Sequence, residues 1–388
     1  MKKPLYRDQV LYLITSYNIR NRKIIIIKMG GRAFDLNTPP IPHHIYLRLV
    51  SKFTALLKTL HEVVRVAPHA PEKVTHGDVD ILVASPLRPY ADEELLALLG
   101  AEQYIPGFPT AHFAIYEPDM EAYVQLDICM CLPEKIEWQN FHRAYGDLWN
   151  ILGVMGRRVG ISVNHSGVRV SVEHIEKRNK KAAMVHLTDD PRAAVEFFGC
   201  DWERYGRGFS TVQEMFDFCA RCRFLDVEIS RRREKVTVES SRLGGSRPLC
   251  QRWFDEYLPK LMEEKEEGEE RGIELKVYSR EGVLEEALEK FEKRLDHDML
   301  VGMWGKDLFD KDMWRRIRDL LPLGTKRGNI VVRALAKRLG EEDLRNGDYG
   351  AMCEAEEWKR EREAKWTKIA KAEWRVILVA LQREAGLD

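Results

Sequence analysis

The sequence lacks several features that would assign it to a class at once. No window holds 18 uncharged apolar residues, so we expect no membrane-spanning helix and no membrane partner. Charged residues interrupt the N-terminal residues 1–18 and no small-residue cleavage site follows them, which argues against a secretory signal. Lysine and arginine number 62, as do aspartate and glutamate, so a net charge of zero gives no global sign of a nucleic-acid coat protein.

Cysteine is scarce and is not arranged for zinc. The 7 cysteines are an odd number in a long chain without a secretory signal, which indicates reduced thiols and an intracellular location, either cytoplasm or nucleus. Cys219 and Cys222 have no second cysteine or histidine pair at zinc spacing, so we interpret them as residues of an amphipathic helix.

The residues that are present predict an α+β protein. Hydrophobic residues make up 44% of the chain and charged ones 32%, which is ordinary for a globular protein. Apolar spacing predicts strands at 23–28, 63–66 and 78–83, helices at 43–62 and 93–99, and a hairpin of 111–116 with 122–130. Further along, the pattern predicts helices from 137, a hairpin turning at Asn164–Gly167, a helix at 190–198, and C-terminal helices at 281–295, 312–321, 328–340 and 351–385.

Three aspartates form the constellation that points to chemistry. Asp78 and Asp80 alternate with Val79 and Ile81, so in a strand both carboxylates lie on one face, about 7 Å apart. Asp127 stands in a second apolar strand, where an unpaired charge is costly. Carboxylates on neighbouring strands suit two Mg²⁺ or Mn²⁺ ions, which favour oxygen ligands. The alternative for Asp78 and Asp80 is an acidic turn that caps the strand.

These segments resemble a known family. Residues 75–82, THGDVDIL, look like the acidic strand of the DNA polymerase beta nucleotidyltransferase superfamily, and Asp127 looks like its third carboxylate. Residues 157–167 and 187–201 are similar to the thumb-side segment of family X polymerases, and the acid order is also similar to phage-type nucleotidyltransferases. The resemblance covers roughly 60–205.

The resemblance implies a domain organisation. It predicts a nucleotidyltransferase palm at 20–135, with a mixed sheet and flanking helices, followed by a helical and hairpin thumb-like domain at 136–245. A helical C-terminal region at 246–388 would follow, with an acidic linker near 261–272, where glutamate is concentrated.

Further residues are candidates for contact with a nucleoside triphosphate. Ala67-Pro68 stands where the family has Gly-Ser, and proline has no N–H to donate, so other donors are needed. The candidates are Gly77, Lys73, His76 and His69 in the loop before the acids, Gly30 and Gly31 after the first strand, Tyr145 and Gly146 at the family's sugar-facing element, and Arg157. Each has a simpler interpretation as a solvated loop residue, a turn glycine, a helix break or a basic helix end.

The resemblance therefore implies a metal-dependent nucleotidyltransferase that moves a nucleotide from a nucleoside triphosphate to a hydroxyl and releases pyrophosphate. Asp78, Asp80 and Asp127 would be both its catalytic residues and its metal ligands. The acceptor stays open between an RNA end, a small molecule and a protein. The alternative is a catalytically inactive protein of this fold that serves as a binding or scaffold module, while a two-metal nuclease is less consistent with the thumb-like segment.

Overall fold

A computed structural model describes residues 33–226, 247–266, 276–323, 329–335, 360, 363–374 and 377. The chain divides into two compact units, the first from Met1–Val170 and His186–Glu285, and the second from Ser171–Val185 and Glu286–Asp388. The predicted strand at 23–28 and the glycines Gly30 and Gly31 lie outside the described residues.

A five-stranded mixed sheet forms the centre of the first unit. Its strands are β2 (His61–Arg65), β4 (Val79–Pro86), β5 (Ala101–Ile105), β6 (Thr110–Glu117) and β7 (Ala122–Met130), in the order β2-β4-β7-β6-β5. β4 and β7 run parallel, whereas the other three pairs are antiparallel. Two short strands, β1 (Ile41–Pro42) and β3 (Thr75–His76), pair with each other. This mixed sheet with helices is compatible with the α+β class expected from the sequence.

The core lies on one face of this sheet, beneath α1 (His43–Leu57) and α2 (Asp92–Leu99). The face consists of alternate residues of each strand: Val79, Ile81, Val83, Phe113, Ile115, Val124, Leu126 and Ile128. Phe53 of α1 is 0% exposed and belongs to this cluster. The prediction that α1 extends to residue 62 is wrong, because the chain turns after Leu57 and His61 begins β2.

Helices and a second sheet complete the first unit. In chain order they are α3 (Ile136–Arg143), α4 (Leu148–Arg158), β8 (Ile161–Asn164), β9 (Gly167–Ser171), β10 (Met184–Thr188), α6 (Pro191–Phe197), α7 (Trp202–Gly206), α8 (Val212–Ala220), α9 (Pro248–Arg252), a π-helix (Trp253–Tyr257) and α10 (Leu258–Glu266). The three strands form a sheet in the order β10-β9-β8, and the predicted turn is confirmed by the pairing of Asn164 with Gly167. Asp190 caps α6 by accepting the N–H of Ala193 at 2.6 Å.

The second unit has its own helical core. It contains the short helix α5 (Glu173–Glu176), the end of α11 (Arg280–Lys290), α12 (Arg294–Asp319), and helical residues in 329–335 and 363–374. Trp314 and Trp366 stack with ring centroids 4.9 Å apart, and Trp366, which is 2% exposed, packs in this core.

Two helix boundaries differ from the prediction. The expected helix at 281–295 ends at Lys290 and a new helix begins at Arg294, while the expected helix at 312–321 is only the last part of α12. Of the acidic stretch expected as a linker, residues 261–266 are helical.

The described cysteines are all free and buried: Cys129, Cys131, Cys200, Cys219, Cys222 and Cys250. Within the described ranges, no helix combines the length and the apolar character that crossing a bilayer requires.

Candidate active site

Asp80 and Asp127 lie side by side on the only parallel strand pair of the five-stranded sheet. The register of β4 with β7 places Asp80 opposite Asp127, so their backbones are separated by one strand spacing, about 4.8 Å. Val79 and Ile81 are both 0% exposed and face the core, so alternation directs Asp80 to the opposite face. Asp78 immediately precedes β4. The structure thus pairs Asp80 with Asp127 on adjacent interior strands and places Asp78 at the start of β4.

The crowding of these acids changes the acidity of Asp80. Its side chain keeps contact with solvent, although protein atoms surround much of it. This partial desolvation, with the charges of Asp78 and Asp127, raises the pKa of Asp80 to about 7, against an opposing effect of Arg143. The site therefore carries more negative charge than the protein itself balances, which is the electrostatic condition for cation binding.

Asp127 is held by two neighbours that the sequence analysis did not identify. His112 of β6 lies opposite it, with Nδ1 2.8 Å from Asp127 Oδ1, and Gln125 Nε2 donates to the same oxygen at 2.9 Å. The hydrogen bond to Asp127 raises the pKa of His112. Ala33 N–H in turn donates to Gln125 Oε1 at 2.9 Å. These contacts fix one carboxylate oxygen, and in the described residues no donor contacts the other, Oδ2.

Arg143 is a cation whose charge acts on this group. It lies at the end of α3 and its Nη2 is 3.3 Å from the Cys129 sulfur, two positions beyond Asp127 on β7. Its charge also acts on Asp80 and opposes the rise in the pKa of that carboxyl group. Neither Arg143 nor His112 belongs to a motif, and the register that pairs Glu117 with Ala122 and His112 with Asp127 is seen only in the structure.

His76 is part of a buried ring stack next to the acids. Its ring lies 3.5 Å from that of Tyr46 at an interplanar angle of 3°, and its Nε2 is 3.0 Å from His43 Nδ1. Burial, then the charges of Lys73, His43 and His69, lower the pKa of His76 to about 3, so the ring is neutral. Burial together with the charges of Asp80 and Asp78 raises the pKa of Tyr46 to about 12. A neutral, buried His76 is suited to positioning the Gly77-Asp78 segment.

We expect the change His76→Ala to weaken cation binding at the acids. Loss of the stack and the hydrogen bond should also cost about 1–3 kcal/mol of unfolding free energy. Mn²⁺ affinity should fall about tenfold, as when a group that orients a metal ligand is removed. Calorimetric titration of Mn²⁺ measures this change. His76→Phe should recover part of the loss because it restores the stack, and exposed His44→Ala should match wild type. Unchanged Mn²⁺ affinity in His76→Ala would exclude the positioning role.

The loop before the acids is attached to the helices of the first unit. Tyr145 N–H donates to the Pro68 carbonyl at 2.7 Å, and Val212 N–H donates to Glu72 Oε1 at 3.3 Å. His69 Nδ1 is 2.9 Å from the Ala70 carbonyl oxygen. These contacts engage the backbone and side chains of residues 68–72.

The other sequence candidates are distributed around this loop. Lys73 and Gly77 are exposed on either side of β3. Tyr145 and Gly146 have φ angles of 57° and 65° and form a tight turn, in which the Tyr145 ring packs edge-on against Tyr205 and Phe209. This packing supports the interpretation of the pair as a helix break. Arg157 is exposed in the last turn of α4.

Comparison with known proteins adds little to this description. No protein-family model and no curated protein matches the chain. Among solved structures, the chain is similar to the crystal structure of Leishmania infantum polymerase beta in a ternary P/T complex. The identity is 14%, the match covers 49% of this chain and 83% of that one, and the TM-score is 0.30. We therefore base the functional proposal on the carboxylates and their motif.

Proposed function

We propose that this chain is a divalent-metal-dependent nucleotidyltransferase. The observation that carries the proposal is the pairing of Asp80 with Asp127 on adjacent parallel strands. Asp78 lies two residues before Asp80 in the sequence.

The donor set fits a hard cation, because carboxylate oxygens are the ligands that Mg²⁺ and Mn²⁺ prefer. In the described residues, no group of three histidine, cysteine or acidic side chains is already arranged around one point. A cation bound between the acids would relieve the repulsion by Asp78 and Asp127 that contributes to the raised pKa of Asp80. Asp78 and Asp80 would hold both ions and Asp127 Oδ2 the catalytic one, which when bound would stabilise charge on the reacting phosphate.

The protein's own groups account for the remaining steps. Asp127 would accept the proton of the attacking hydroxyl, and His112 and Gln125 hold its Oδ1 in place. The hydroxyl oxygen forms a bond to the α-phosphorus, the bond from that phosphorus to the bridging oxygen breaks, and pyrophosphate leaves. Lys73 and Gly77 are the exposed loop groups available to the triphosphate. An RNA end, a small molecule and a protein are the acceptor classes to test.

A thermal-shift screen of the four ribonucleoside triphosphates, with and without Mn²⁺, tests this function. A ligand at a hundredfold excess over its Kd stabilises the native state by about 2.7 kcal/mol, so a metal-dependent rise in the midpoint is expected with at least one nucleotide. Asp127→Ala should lose this rise. Asp35→Ala, a change at an exposed aspartate of the same unit, should keep it.

A second candidate is a binding protein that retains the fold without catalysis. Ala67-Pro68 favours it, because Pro68 has no N–H and its carbonyl is occupied by Tyr145. No shift with any triphosphate, in a protein that melts cooperatively, would favour this candidate over the enzyme.

A further inference from the structure

A cavity of about 500 Å³ lies beside α7 and α8, within the first unit. Its wall contains three arginines, three acidic residues and the edge of Phe218. The volume is in the range of sites for small ligands, but the wall is far more polar than usual, so a charged ligand is expected. The kind of ligand that the cavity can bind depends on which of these side chains already have partners within the protein.

Two of the acidic residues are engaged within the fold. Asp201 caps α7, and its Oδ1 accepts the backbone N–H groups of Glu203 at 2.8 Å and Arg204 at 3.2 Å. Asp217 Oδ1 accepts the Tyr257 hydroxyl at 2.7 Å and Gln213 Nε2 at 3.1 Å. These neutral donors occupy Oδ1 of Asp201 and of Asp217, so both side chains are held by the fold, while their negative charges remain in the wall.

The third acidic residue, Glu214, is paired with Arg204. Its Oε2 accepts the Ser210 N–H at 2.8 Å and Arg204 Nη2 at 3.2 Å. The Arg204 guanidinium also donates to the Gly208 carbonyl and lies 4.7 Å from the centre of the Phe209 ring. Arg204 is therefore held by the protein.

Arg207 and Arg221 are different. Both side chains are exposed and line the cavity, and among the described residues neither guanidinium forms a hydrogen bond or an ion pair. Two guanidinium groups thus face one cavity without a partner, while every acidic group in the wall already has one. The guanidinium groups of Arg207 and Arg221 are therefore the positively charged donors that remain available to a ligand in this cavity.

We propose that this cavity binds a phosphate group through Arg207 and Arg221. Each guanidinium offers a planar pair of N–H donors that matches two oxygens of an anion. A phosphate has enough oxygens and charge to engage both arginines, whereas a single carboxylate engages one such pair. A free polyphosphate and a nucleic-acid strand share this chemistry, and the experiment below distinguishes them.

A residue of the π-helix fixes one side chain of the cavity wall. The Tyr257 hydroxyl, which donates to Asp217, belongs to the π-helix between α9 and α10. A π-helical turn is rare and is found frequently near functional sites. None of the residues that line the cavity is one of the three acids, and the proposal does not depend on the proposed enzymatic function.

Binding of two probes to the full chain, in EDTA to exclude metal-dependent binding at the acids, tests this proposal. The probes are inorganic pyrophosphate, followed by calorimetry, and a labelled single strand of about 12 nucleotides, followed by fluorescence anisotropy. Arg207→Gln and Arg221→Gln should each weaken binding of at least one probe by about tenfold. Arg207→Lys should retain part of the affinity, because it keeps the charge and loses the planar pair of donors.

Two controls keep the outcomes distinct. Arg178→Gln removes an exposed arginine elsewhere and should bind like wild type. Asp127→Asn should also bind normally, which would separate this cavity from the proposed active site. Binding of pyrophosphate alone would identify a free phosphate ligand, and binding of the strand alone a nucleic acid. If neither probe binds wild type, or if Arg207→Gln and Arg221→Gln bind as Arg178→Gln does, the proposal is wrong.

Discussion

Asp80→Asn should abolish metal-dependent nucleotide binding and reduce nucleotide transfer to background. Asparagine keeps the size of the side chain but removes the charge that attracts the cation, at the position directly opposite Asp127. Thermal shift with Mn²⁺ and the triphosphate found in the screen measures the first effect, and release of pyrophosphate measures the second. Asp35→Asn is the matched control because that aspartate is exposed in the same unit.

The same variant should be more stable than wild type at pH 8 without metal. In the folded protein the pKa of Asp80 is raised to about 7, whereas an unfolded aspartate titrates near 3.9. Between these values the folded state holds more protons, so the contribution of Asp80 to stability declines as the pH rises through this window. The amide of the Asp80→Asn variant cannot ionise and avoids that loss. The difference between the two proteins should shrink towards pH 4, and a variant less stable than wild type at pH 8 would contradict it.

Phe53→Ala should lower the unfolding free energy of the first unit by about 3–5 kcal/mol, the usual cost of removing a fully buried aromatic ring. Phe53 is 0% exposed and packs in the same core as Ile81 and Leu126. These two residues are the sequence neighbours of Asp80 and Asp127, which point to the opposite face of the sheet. Hydrogen exchange of amides in β4 and β7 measures this loss locally. Leu47→Ala, at a position of α1 that is 48% exposed, should change the free energy by less than about 0.5 kcal/mol. Equal effects of the two substitutions would show that α1 does not support the sheet.

The strongest local patterns predicted both the central strands and the acids. Alternation around Asp78 and Asp80 indicated their common face, and β6 and β7 form the predicted hairpin. The sequence predicted that Asp80 and Asp127 lie on neighbouring strands, but it did not predict that they lie opposite each other. The register of β4 with β7 is set by contacts between segments far apart in the chain. His112 and Arg143 carry no motif and become recognisable only when those strands and α3 are assembled.

Other elements gave weak signals for identifiable reasons. β5 is an edge strand whose Glu102 and Gln103 are exposed, so it has no long apolar run. The break between α11 and α12 has no glycine or proline, and Glu292 takes the turn with a φ of 55°. The chain therefore continues to resemble one helix through residue 295. Tyr145 likewise adopts a positive φ without a small side chain, which packing against Tyr205 supports.

The parallel pairing of β4 with β7 also has a consequence for how the protein folds. Asp80 and Asp127 are 47 positions apart, and the segment between them contains α2, β5 and β6. Contacts between distant positions are entropically costly to close, so this pair is expected to form late. Acquisition of Mn²⁺ affinity during refolding would then report the completion of the sheet, and a nascent chain that has not emerged beyond β7 would have no site at which to bind the ion.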